Sequence, residues 1–99
     1  MCVMLTTNIN TNITRMQHVD EMNLKIFGKK IKELRQNHSK SLNEFVFSKG
    51  YLTTATWSRI ENGLYDIKFS TLLRVAKMLN MKAEDLLKSA ELSYNFSDE

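Results

Sequence analysis

The sequence predicts an all-α fold of five short helices, and three observations carry that prediction. Proline is absent and glycine occurs three times, which suits helices joined by tight turns. From residue 23 onward apolar residues recur three and four positions apart, the period of a helix with one buried face. Cap and stop residues fall between those runs. A chain of 99 residues with a hydrophobic fraction of 42% makes one globular domain with a modest core and little room for a deep catalytic cleft.

Residues 1–22 are rich in Asn and Thr and show no apolar period. They are expected to form a flexible arm or an appended extension, with Met22 as a candidate alternative start. A minor-groove arm is the other reading of this segment, weakened because Arg15 is its only Lys or Arg. The domain pattern spans residues 23–90. Leu24, Phe27, Ile31 and Leu34 repeat at three and four, with Lys25, Lys29, Lys30 and Lys32 between them. This predicts an amphipathic first helix ending near His38. Ser41-Leu42-Asn43-Glu44 is a capping box, so the second helix starts at Leu42, turns Phe45 and Val46 inward and stops before Gly50. Thr53 is the expected N-cap of the third helix, with Trp57 and Ile60 inward and Gly63 as its left-handed stop. The fourth helix carries Leu72, Leu73, Ala76 and Leu79, and Asn80 ends it. A short fifth helix carries Leu86 and Leu87. Residues 91–99 are polar and acidic and are expected to fray.

The net charge of +3 is mild, but residues 23–68 hold nine Lys/Arg against four Asp/Glu. A basic middle flanked by slightly acidic ends is the pattern of a polyanion-binding face, although basic small domains are common without one. Cys2 is the single cysteine, and His18 and His38 have no partners at ligand spacing. No disulfide framework, metal or cofactor is therefore expected. Glu33, Glu44, Glu61 and His38 form no nucleophile–base or metal spacing, so an enzyme is the least supported class. No segment has the length and apolarity of a signal peptide or bilayer span, and a cytoplasmic setting is the simplest expectation.

Five short helices with the second and third joined by a tight turn describe a helix-turn-helix module. The segment from Phe27 to Leu87 resembles the Cro/phage-repressor (XRE) type of that module. The matching pieces are Phe27-Gly28-Lys29-Lys30-Ile31-Lys32-Glu33-Leu34-Arg35, Ser58-Arg59-Ile60-Glu61-Asn62-Gly63 and Thr71-Leu72-Leu73-Arg74-Val75-Ala76-Lys77-Met78-Leu79. Glu61–Phe69, with Asp66-Ile67, is also similar to the Rgg/MutR branch of regulators. Those proteins carry a long peptide-binding domain, and peptide sensing is not expected to carry over.

The resemblance implies a five-helix lambda-repressor-like domain that binds double-stranded DNA, as a homodimer on repeated half-sites. It places base reading on Thr54, Ala55 and Arg59. An arginine there can hold guanine O6 and N7 with two donors, and an alanine or threonine methyl can touch a thymine methyl. Phosphate contacts fall on Lys40, Ser41, Thr53, Thr56, Asn62 and Lys68. Arg35 and Glu61 take positions that form a buried ion pair; without the resemblance each would read as an exposed charge. Arg59 has a plain alternative as a solvated surface arginine, and the threonines as caps. Differences from the family pattern are Leu42 in place of a polar residue, one extra residue within Ser48–Leu52, Asp66 in a loop that is often basic, and Lys68 and Lys82 where Ser usually caps. Two further function classes stay open. One is an antitoxin that also grips a toxin protein, and the other is a protein-interaction module or effector-domain partner that no longer reads DNA.

Overall fold

In the computed structural model, backbone is described for residues 2–38 and 41–96, and side chains for residues 17–38 and 41–96. The described residues form five helices and no strand: α1 (Cys2–His38), α2 (Leu42–Lys49), α3 (Thr54–Glu61), α4 (Phe69–Met78) and α5 (Ala83–Ala90). The fold class is all-α.

The first helix differs most from the sequence expectation. It does not begin near Asn23 but runs continuously from Cys2. Neither glycine nor proline interrupts residues 2–27, so nothing forces the backbone out of helical hydrogen bonding before the amphipathic run begins. The starts of α2 and α3 follow local chemistry. Ser41 Oγ accepts the Glu44 amide at 3.3 Å, and Thr53 Oγ1 accepts the Thr56 amide at 3.1 Å. Each satisfies one of the four amides that a helix start leaves without an internal partner. Gly50 closes α2 at φ 80°. Lys68 and Lys82 precede α4 and α5 with no side-chain cap bond.

The core is built where α1 crosses α3 and α5 covers the far side. Trp57, Phe45, Ile31, Ile60, Met78, Leu79, Leu86 and Val75 are its largest fully buried side chains. The Phe45 and Trp57 rings meet in a tilted arrangement with centroids 4.9 Å apart, within the range where ring quadrupoles add to burial. Gly28 makes the α1–α3 crossing possible. A Cβ there would lie 2.3 Å from the Ile60 carbonyl oxygen and 2.6 Å from that of Glu61, so only glycine lets α1 come this close. Gly63 stops α3 at φ 70°, with Lys25 of α1 against it.

Two expected features of the C-terminal half are revised. Leu73 is 45% exposed, whereas the expected Ala76 and Leu79 are buried and Thr71, Val75 and Met78 join them. The apolar residues of α4 exceed what one face can cover, so periodicity alone did not say which would face out. Residues 91–93 do not fray away from the body. Leu92 packs on the core, and Ser93 pairs with Asn23 through two 2.8 Å bonds: its amide donates to Oδ1, and its carbonyl accepts from Nδ2. A contact across 70 positions has no local sequence signal.

Candidate nucleic-acid interface

Helix α3 has a buried side and an outward side set by its own period. Trp57 and Ile60 are buried, three residues apart, whereas Ala55, Arg59 and Asn62 are exposed at spacings of four and three. Thr54 and Thr56 are half-buried flanking positions, and Thr53 is exposed at the helix start. Of the residues expected to read bases, Ala55 and Arg59 thus share an open face, and Thr54 borders it. Arg59 has no ion pair or hydrogen bond among the described residues, which leaves its guanidinium donors for an outside acceptor.

The expected phosphate contacts are placed unevenly. Thr53 and Thr56 are joined to each other, with 3.0 Å between their hydroxyl oxygens in addition to the cap bond. Asn62 Nδ2 donates to the Ser58 carbonyl at 2.8 Å and so helps to finish the helix. Ser41 stands at the start of α2, half-buried, and Lys68 at the start of α4, exposed. The first turn of α4 carries no acidic residue and no side-chain cap, a combination that favours an anion at its amides. Lys40 lies outside the described residues.

Behind the open face, a buried polar network holds α3 against α1. Arg35 Nε donates to Glu61 Oε2 at 2.6 Å and Nη2 to Oε1 at 3.1 Å, a two-point grip. Trp57 Nε1 also donates to Glu61 Oε2, at 2.6 Å. The Arg35 and Glu61 side chains are 5% and 7% exposed. Among the described residues no buried side-chain nitrogen or oxygen lacks a partner, so the charges are compensated rather than stranded.

Sequence reasoning missed three placements. Trp57 was assigned to the core by period, but its indole N–H bond to Glu61 was not read, and an acidic residue four positions after a buried Trp was the available signal. Gly28 carried a signal too, since a glycine inside a helix is costly unless another backbone approaches there. Phe47, on the outer face of α2, is 91% exposed, and nothing in the local pattern marked it for the surface. Among the described residues no group of three His, Cys, Asp or Glu side chains could hold a metal ion, and no helix is long and apolar enough to cross a membrane.

No family model, curated protein or solved structure matches this chain.

Proposed function

We propose that this chain binds double-stranded DNA sequence-specifically as a small transcriptional regulator. In this reading α2 and α3 act as the helix-turn-helix of a lambda-repressor-like domain of the XRE type, and α3 enters the major groove. The observation that carries it is the outward face of α3: exposed Ala55 and Arg59 on a helix whose other side is locked by Arg35, Glu61 and Trp57. A base-reading helix needs both properties, because phosphate contacts position the protein while rigidly held side chains discriminate base edges. The basic segment 23–68 supplies the attraction to the backbone, with Lys68 at the uncapped start of α4 as the clearest phosphate ligand.

The test is a titration of duplex DNA at several salt concentrations. Log K should fall linearly against log salt, by about 0.9 per phosphate neutralised. Absence of binding at low salt, or a flat response, refutes the reading.

Phe47 favours a second reading, in which α2 meets a protein partner such as a toxin or effector domain. Phe47 is 91% exposed beside Thr53 and Thr54, and aromatic residues are enriched in protein–protein interfaces. Phe47→Ser should then abolish capture of the partner while leaving Trp57 fluorescence unchanged, and an unchanged partner affinity removes this reading.

A further inference from the structure

Where the ends of the domain body meet, they leave a cleft. It lies between α1, the loop of residues 64–68, α4, α5 and the C-terminal tail, and its volume is about 180 Å³. Leu24, Phe27, Ile67, Leu72, Leu87 and Leu92 form its walls. All of these except Phe27 are only half-buried, so they keep apolar surface that a bound molecule would cover. Removing such surface from water is favourable without any directional bond.

Two polar side chains complete the lining. Asn23 spends both ends of its amide on Ser93. Asp66 is exposed and makes no hydrogen bond or ion pair among the described residues. It is the odd member of the four carboxylates in the basic segment 23–68. Glu33 and Glu61 are paired with Lys30 and Arg35, and Glu44 lies in the first turn of α2. A carboxylate in the loop before Lys68 also has no part in holding DNA, because it repels phosphate.

Volume and charge together select the occupant. An apolar cavity of about 150 Å³ holds benzene, so this cleft takes one ring or a short alkyl chain and has no room for a helix. The carboxylate at its edge complements a positive charge and repels an anion. Apolar walls with a few polar groups are also the usual make-up of a small-molecule site. We propose that the cleft binds a small ammonium compound, with its ring or alkyl body among Leu24, Leu72 and Leu87 and its cationic nitrogen at the Asp66 carboxylate. Such a ligand bridges α1, the loop of residues 64–68, α4 and α5, and it stabilises the folded body by mass action. This binding does not depend on whether the chain recognises DNA.

Titration of the isotope-labelled full chain with benzylamine, followed by amide chemical shifts, tests the proposal. Shifts should concentrate at Asp66, Ile67, Leu87 and Leu92 and saturate with a Kd on the order of 1 mM, ordinary for so small a ligand. Benzyl alcohol has the same size without the charge. It should bind about two- to fivefold more weakly, the range of an exposed charge pair, and benzoate should leave these amides unshifted. Asp66→Asn should bring benzylamine down to the level of benzyl alcohol, and because Asp66 is exposed the change spares the fold. Leu87→Phe narrows the cleft and should abolish binding of both compounds. Fluorescence of Trp57, the single tryptophan and buried in the body, should stay native in both variants. Four results overturn the proposal: no saturable shift at these amides up to about 20 mM benzylamine, equal affinity for the amine and the alcohol, an Asp66→Asn chain that still prefers the amine, or undiminished binding by a natively fluorescent Leu87→Phe chain.

Discussion

Removing the Arg35 side chain is the most direct test of how α3 is held. In the wild type, Glu61 receives three short bonds, two from Arg35 and one from Trp57, with both charged side chains over 90% covered. Arg35→Ala deletes the two charge-assisted bonds and leaves the carboxylate buried with only the indole N–H. Breaking one side of a buried pair costs about 3–5 kcal/mol, and the retained Trp57 bond places the expectation near 3. Glu61→Ala is the harsher change. It leaves a buried guanidinium and also an unsatisfied indole N–H, which adds about 1–3 kcal/mol. A domain of this size has a total stability of about 5–15 kcal/mol, so either loss is a large share of it. At ~4–8 °C per kcal/mol, Arg35→Ala should lower Tm by at least about 12 °C. Thermal and urea denaturation of the two single variants and the double variant form a closed cycle. The double variant should lose clearly less than the sum of the singles, because neither charge is then stranded. Single variants within about 1 kcal/mol of wild type, or strictly additive effects, would mean that solvent satisfies these groups and that the network does not hold α3.

Three further outcomes follow from the same structure. Gly28→Ala should destabilise by about 1–3 kcal/mol, although Gly→Ala in an open helix normally stabilises, because α1 must retreat on the order of 1 Å from the end of α3; a raised Tm would show that the crossing is looser than the geometry requires. Arg59→Ala should cost about 1–3 kcal/mol in DNA binding chiefly at one G·C pair, read from binding-site profiles at one fixed salt concentration. A uniform loss across sequences would reassign Arg59 to the backbone. Lys68→Ala should weaken all sequences about equally and make the salt slope shallower by about 1, and an unchanged slope would remove Lys68 from the phosphate contacts.

The elements whose signals are local agree closely between sequence and structure. Ser41 and Thr53 cap α2 and α3 by bonds to amides three residues on, and Gly50, Gly63 and Asn80 take the left-handed conformation at or just beyond the ends of α2, α3 and α4. Such features depend on neighbours within one turn, so the residue types suffice to read them. The inward positions of α3 were legible for the same reason, since two apolar residues among polar ones leave a single choice of face. Helix α4 offers too many apolar residues, and Leu73 went to the surface. The start of α1 was misread because an apolar period reports burial, whereas the backbone is helical from Cys2, upstream of that period.

By itself the sequence determined the helical class, the ends of α2 and α3, the inward set Trp57 and Ile60, and the basic segment between residues 23 and 68. Each of these follows from steric and hydrogen-bonding preferences that act over a few residues, or from charge that needs no fold to be counted. The tertiary structure decided the rest. It brought Gly28 against the end of α3, joined Arg35 of α1 to Glu61 of α3, and tied Ser93 to Asn23 across 70 positions. These contacts join residues far apart in the chain, and their geometry depends on how closely whole helices pack, which no local pattern encodes.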